Sequence, residues 1–218
     1  MRTRDDSFYS SNTIRTGEIP EDGGIYGEYF PAMKDAMEEF LDYICEIREV
    51  MSSELGIDPV DHCLARIKSD ASMRDKCRRR GLPETADSAL HKVRDAIGIR
   101  IVCSFLSDIY EIRNRLLDFE ALELAYEKDY IRHAKENGYR SYHMIVKMRD
   151  TFFVEIQLRT ISMDTWAALE HQMKYKKHAT ANDSLIEKEL KRCADELAST
   201  DVSMQTIRDM INAEASEQ

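Results

Sequence analysis

Residues Lys128 to His143 (KDYIRHAKENGYRSYH) and Glu155 to Thr160 (EIQLRT) bring lysine, asparagine, tyrosine, arginine, serine, histidine, glutamate and glutamine into two short stretches. A hydrophobic core takes Leu, Ile and Val and has no use for this mixture. Phosphate, nucleobase and metal binding do use it. Asn137-Gly138 is a turn dipeptide with few steric limits. The following SYHMIVKM alternates in places and then runs apolar, as a partly buried strand does. A polar turn feeding a strand can aim several side chains into one cleft, which here reads as the wall of a nucleotide site.

A second set lies upstream. Between Arg66 and Arg80 stand seven basic residues (Arg66, Lys68, Arg74, Lys76, Arg78, Arg79, Arg80) against two acids, Asp70 and Asp75. Arg66 and Lys68 alternate along a predicted strand, while Ser72, Lys76, Arg79 and Arg80 share one face of the helix after it. Such a corner can converge four or five cations on one phosphate chain, and the helix N-terminus adds its partial charge. Asp95 stands at the mouth of the next predicted strand, Gly98 lets backbone come close, and Arg100 is a cation in an apolar run. Glu155, Gln157 and Arg159 share one strand face. Asp95 and Glu155 are suited to hold Mg²⁺ on phosphate oxygens, Glu155 also to act as a general base, Tyr139 to stack a base and Asn137 to hydrogen-bond one. Plainer readings stand beside these: a solvated basic helix face, an edge-strand arginine at 100, a salt-bridged acid at 155 and a turn tyrosine at 139.

Positioning these groups calls for a mixed sheet. The expected elements are an amphipathic helix over 29–55, a strand over 62–68, a basic helix from the Ser69-Asp70 cap to Arg80, and a helical turn over 88–94. Then come a strand through Asp95–Phe105, a helix over 107–117, a strand over 121–126, and strands 141–148 and 151–159 joined by a hairpin at Arg149-Asp150. A helix over 162–177 and one or two more over 183–213 close the chain. The fold class is α/β (mixed α+β), a roughly five-stranded mixed sheet with packed helices and helical extensions at both termini. We expect a loose tail over 1–25, a helical extension over 26–56, the catalytic domain over 57–180 and a second extension over 181–218. The Met-rich stripe of the first helix (Met33, Met37, Met51) reads as packing.

The 218-residue chain is 43% hydrophobic and 33% charged, and its net charge of −10 disfavours non-specific nucleic-acid binding. No apolar run is long enough to span a membrane, and MRTRDDSFYS lacks the core of a secretory signal. The five cysteines (Cys45, Cys63, Cys77, Cys103, Cys193) form neither a disulfide framework nor a zinc pattern. The expected location is cytoplasmic. There is no P-loop, no dinucleotide-binding glycine motif, no nucleophile elbow and no HExxH.

RIKSDASMRDKCRRRG, DAIGIRIV, DYIRHAKENGYRSYH and EIQLRT followed by WAALEHQMKYK, in this order, resemble the synthetase domain of the RelA/SpoT family over roughly Asp61 to Lys177. Without the histidine–aspartate hydrolase domain or a long regulatory C-terminal region, the chain is most similar to the small alarmone synthetases. The resemblance implies a nucleotidyltransferase-like synthetase fold. It also implies Mg²⁺-dependent transfer of the β,γ-pyrophosphate of ATP to the 3′-hydroxyl of GDP or GTP, yielding ppGpp or pppGpp and AMP. Carried over by motif, Arg66 and Arg100 would sandwich adenine, and Lys68, Ser72, Lys76 and Arg79 would hold the ATP phosphates. Asp95 and Glu155 would bind the metal, with Glu155 also activating the hydroxyl. Tyr139 would stack on guanine, with Lys128, Tyr130, Lys135, Asn137, His143 and Gln157 completing the GTP/GDP site. A homotetramer built through the terminal helices is implied, and allosteric binding of (p)ppGpp or single-stranded RNA stays open. Many relatives carry Pro where this chain has Ala134, and Glu136 adds negative charge, which leaves the choice between GDP and GTP open. Two rivals also stay open: a same-fold pyrophosphokinase for an adenosine nucleotide or tRNA, and an inactive nucleotide- or RNA-binding regulator.

Overall fold

A computed structural model describes residues 14–16, 19–148, 151–175 and 183–216. Its elements in chain order are β1 (Ile14–Thr16), α1 (Phe30–Leu55), β2 (Val60–Ile67), α2 (Asp70–Arg79), β3 (Ile97–Cys103), α3 (Leu106–Leu116), β4 (Leu122–Asp129), β5 (Tyr142–Met148), β6 (Phe152–Thr160), α4 (Ile161–Tyr175) and α5 (Asp183–Ser216). The sheet runs β1-β2-β3-β6-β5-β4. Its β1/β2 and β3/β6 pairs are parallel and the remaining pairs antiparallel, so it is mixed as expected.

Alternation along the strands sorts the two faces. Cys63, Ala65 and Ile67 of β2, Ile97, Ile99 and Ile101 of β3, Val154, Ile156 and Leu158 of β6, and Met144 and Val146 of β5 are buried in one core. The apolar stripe of α1 (Met33, Met37, Phe40, Leu41, Ile44) and the inner face of α3 (Ile109, Ile112, Leu116) are buried in the same core. Full burial of each such side chain contributes roughly 1.5–3 kcal/mol. The methionines of α1 are therefore packing residues. The opposite parity, Leu64, Arg66, Gly98, Arg100, Glu155, Gln157, His143 and Ile145, is at most partly buried. That is the face on which chemistry can happen.

Two expectations change, and the number of C-terminal helices, open in the sequence, is fixed. The stretch 1–25 was expected to be loose, yet within its described part Ile14–Thr16 adds a sixth, edge strand parallel to β2. Ile25 is buried and Tyr26 fully so, and the Tyr26 hydroxyl donates to the Lys68 carbonyl at 2.7 Å. A backbone donor also ties this stretch down, from Ile25 N to Asp70 Oδ1 at 2.6 Å. Two apolar side chains were enough to anchor a segment whose composition is otherwise polar. The strand placed at 121–126 extends to Asp129, with a register shift between Leu124 and Tyr126. The C-terminal stretch is one helix of 34 residues. Residues 1–13, the Arg149-Asp150 hairpin turn and the Lys177 end of the fourth helix lie outside the described residues. Among the described residues no helix is long and apolar enough to cross a membrane.

Candidate active site

Register builds the site. Arg66 pairs with Gly98 and Gly98 with Glu155, and one step along Leu64 pairs with Arg100 and Arg100 with Gln157. Gln157 in turn pairs with His143, and His143 with Lys128. Two rows of functional side chains thus cross the open face of the sheet from β2 to β4.

At the β2–β3–β6 end these rows line a cleft of about 160 Å³, walled by Leu64, Arg66, Gly98, Arg100, Glu155 and Gln157. Gly98 forms its floor. A Cβ built there would lie 3.6 Å from Arg66 Nε and 3.7 Å from its Cγ, so the Arg66 side chain lies directly over the glycine. Arg66 and Arg100 both line the cleft, and a guanidinium plane can stack on a flat ring.

The cation corner closes around Asp95. Ser69 caps α2, its Oγ accepting from Ser72 N at 3.3 Å. Lys68 Nζ lies 2.5 Å from Asp95 Oδ2, and Lys76 Nζ reaches the same oxygen. Burial pushes the Asp95 carboxyl up, but the hydrogen bonds and charges of the two lysines outweigh it and hold the group below its ordinary range. Burial pulls Lys68 down, with Asp95 opposing. Asp95 Oδ1 is buried with no hydrogen-bond partner. The residue before it, Arg94, has φ 62, the one non-glycine among the described residues in the left-handed region. Strain of this kind costs on the order of 1–3 kcal/mol and gathers where a side chain must be aimed.

At the β5–β4 end an aromatic and cationic cluster forms. Tyr130, Tyr139 and His143 meet edge to face with centroids 5.2–6.2 Å apart. Lys135 Nζ stands 4.7 Å from the Tyr130 ring and 4.8 Å from the Tyr139 ring, and Lys128 Nζ 4.8 Å from Tyr130. An open groove of about 710 Å³ runs along Lys128, Tyr130, His133, Ala134, Lys135, Glu136 and Asn137. The Tyr139 hydroxyl lies 2.8 Å from His143 Nε2 and accepts from Arg159 Nη2 at 2.8 Å. Burial, with the Arg159 and Lys135 charges, lowers the His143 pKa to about 4. The neutral ring is therefore favoured, and it shares a hydrogen bond with the tyrosine hydroxyl.

Most of the sequence-derived residues come together in these places. Arg66, Arg100, Glu155 and Gln157 line the cleft, and Lys68, Lys76 and Asp95 form one cluster. Lys128, Tyr130, Lys135 and Asn137 line the groove, with Tyr139 and His143 packed against it. Gln157 lines the cleft of Arg66 and Arg100 although it was grouped with the opposite set. Ser72 and Arg79 are exposed on α2 outside the cleft lining, and Arg79 pairs with Asp75 at 2.8 Å. Asn137 donates to Glu170 of α4 at 3.2 Å and accepts from the Tyr139 backbone. Sequence reasoning missed Asp164, and it noted Arg159 only as a face-mate of Glu155. Alternation placed Arg159 on the correct face; Asp164 lies only five residues on, in the first turn of α4, but its meeting with Arg100 on β3 could not be read locally.

Among the described residues no group of three or more His, Cys, Asp or Glu side chains is placed to hold a metal ion. The donor set instead suits Mg²⁺, which takes one or two carboxylates and completes its shell with water and phosphate oxygens. The unpartnered Asp95 Oδ1 fits that role.

Comparison with known proteins agrees with this geometry. A family profile described as a region found in RelA / SpoT proteins matches residues 65–180. The chain is 40% identical over 147 residues to GTP pyrophosphokinase YwaC of Bacillus subtilis, covering 64% of this chain and 70% of that one. It is 31% identical over 185 residues to GTP pyrophosphokinase YjbM of the same organism, covering 80% and 84%. The crystal structure of B. subtilis small alarmone synthetase 1 bound to its product pppGpp superposes with a TM-score of 0.71 at 29% identity, covering 84% of this chain and 96% of that one.

Proposed function

The chain belongs to the RelA/SpoT family, and from that premise we propose that it is a GTP pyrophosphokinase, a small alarmone synthetase that makes (p)ppGpp. It moves the β,γ-pyrophosphate of ATP to the 3′-hydroxyl of GDP or GTP and releases AMP. One observation carries the assignment of roles: the strand register sets Glu155 beside Gly98 in the row of Arg66, one step from the row of Arg100, Gln157, His143 and Lys128. An acid thus stands where a donor cleft meets an acceptor platform.

Arg66 and Arg100 hold adenine above Gly98. Lys68 and Lys76 exchange Asp95 for the triphosphate, and Ser72 and Arg79 take its outer oxygens from the exposed face of α2. Tyr139 stacks on guanine, while Asn137, His143 and Gln157 orient the nucleoside and Lys128, Tyr130 and Lys135 meet its phosphates. Glu155 accepts the proton of the 3′-hydroxyl as that oxygen attacks the β-phosphorus. The bond between the β-phosphorus and the oxygen bridging it to the α-phosphate breaks, and AMP leaves in line. Asp95 and Glu155 would hold Mg²⁺, which when bound neutralises charge on the transferring phosphates. Positioning and charge neutralisation account for most of the acceleration.

The catalytic body is assigned to 57–180, with 26–56 and 181–218 as helical extensions. An exposed apolar stripe late in α5 (Val202, Ile207, Met210, Ile211) supports a homotetramer formed through these helices. Cysteine spacing that suits neither a disulfide framework nor a zinc site supports a cytoplasmic setting.

The test is to incubate the protein with Mg²⁺, γ-labelled ATP and either GDP, GTP, ATP or tRNA, and to resolve the products by chromatography. Label confined to a guanosine product, with AMP formed in equal amount, is expected. Label on another acceptor, or on none, overturns the assignment.

A further inference from the structure

We propose that Asp164 is a positioning residue that couples the two nucleotide subsites by acting as the shared counter-ion of Arg100 and Arg159. The inference rests on the assignment of the donor cleft and acceptor platform above. Asp164 lies in the first turn of α4, and its Oδ1 stands 3.2 Å from Arg100 Nη1 and 2.9 Å from Arg159 Nη1. Arg100 walls the donor cleft. Arg159 reaches the acceptor side, where its Nη2 donates to the Tyr139 hydroxyl at 2.8 Å and to Gln157 Oε1 at 3.0 Å. One carboxylate oxygen thus joins the arginine that meets adenine to the arginine that fixes the guanine platform.

The energetics give this contact weight. Arg159 is 4% exposed, and the Nε atoms of both arginines are buried without a partner. Asp164 is the one carboxylate paired with either arginine among the described residues. Burial first, and the Arg159 charge second, make it harder for Arg100 to stay charged, with Asp164 opposing both. Two like charges on one carboxylate oxygen, one of them buried, depend on their common counter-ion for position. A purine on Arg100 fixes its plane and with it the Asp164 rotamer. Arg159, Tyr139 and Gln157 are then already ordered when the second nucleotide arrives. The ordering cost is met once, by whichever nucleotide binds first, and the coupling is reciprocal.

Calorimetric titration of a non-hydrolysable ATP analogue with Mg²⁺, with and without saturating GDP, reads this coupling. In the wild type each nucleotide is expected to tighten the other by about 5-fold or more, the lower range of measured couplings. In Asp164→Asn the factor is expected to fall toward one. Asp164→Glu keeps the charge and should retain part of the factor, which serves as the reading if the asparagine variant fails to fold. His62→Ala removes the neighbour 3.8 Å from Asp164 Oδ2 and is expected to leave the factor intact. Full coupling in Asp164→Asn, no coupling in Asp164→Glu, or a loss in His62→Ala as large as in Asp164→Asn overturns the inference. A wild type that turns over yet shows no coupling overturns it alone, and a wild type that binds neither nucleotide overturns the functional assignment as well.

Discussion

Gly138, at the tip of the acceptor loop, lies so close to Ala194 of α5 that a Cβ built on it would stand 2.7 Å from the alanine Cβ and 3.2 Å from Lys191 Cα. The C-terminal helix is therefore the backing of the acceptor loop. Arg140 reinforces the seam, donating to the Gly138 and Ala194 carbonyls and to Asp195 at 2.9–3.3 Å.

Gly138→Ala should separate loop from helix. Its φ of 91 already strains any side chain, and the methyl has no free space. We expect a loss of about 1–3 kcal/mol in stability, together with an acceptor KM raised roughly tenfold, about 1.4 kcal/mol of binding, while the KM for ATP stays near wild type. Steady-state kinetics with each substrate varied in turn decides this. Equal rises in both KM values would show that the loop does not act on the acceptor alone.

Glu155→Gln keeps the shape of the cleft wall and removes the base. Turnover is expected to fall by about 10²–10⁴-fold, the range for loss of a general base, with ATP binding by calorimetry little changed. Loss of ATP binding in this variant would contradict the role given to Glu155.

His143 predicts a pH dependence of stability. Its folded pKa lies at about 4, below the ordinary 6.5. Between those values the unfolded chain binds more protons, so acid favours unfolding. The contribution is complete above pH 6.5 and is lost as pH falls toward 4. At most this is roughly 3–4 kcal/mol. His143→Gln should flatten the wild-type decline in urea midpoint across this window, and an unchanged slope would place the titrating group elsewhere.

Arg208 and Asp108 form a buried pair at 2.6 Å, 6% and 2% exposed, which ties the far end of α5 to α3. Burial raises the Asp108 pKa, and Arg208 offsets that only in part. Arg208→Ala strands the carboxyl and should cost about 3–5 kcal/mol, seen as a Tm drop on the order of 10 °C. A drop within a degree or two would mean that Asp108 finds another partner.

Much of this was legible in the linear chain because local rules govern it. Spacing of three and four marked α1, a serine–aspartate pair marked the start of α2, and period-two alternation put Glu155, Gln157 and Arg159 on one face. The chemistry of the functional side chains followed from residue type: cations for phosphate, carboxylates for metal, an aromatic ring for a base. The anchored stretch at Ile25 and Tyr26 was hidden by its polar neighbours, since composition averages away two buried side chains.

By itself the sequence determined most of the elements, the parity of the strands and the residue types offered for nucleotide binding, all properties of neighbours within a few residues. Only the tertiary structure decided how the subsites join. Pairing β3 with β6 in parallel set Arg100 beside Gln157, and the docking of α4 brought Asp164 to Arg100. The packing of α5 against Gly138 was settled at the same level. Contacts across 50 residues or more leave no periodic trace, because they arise from how finished elements pack and not from what any one of them prefers.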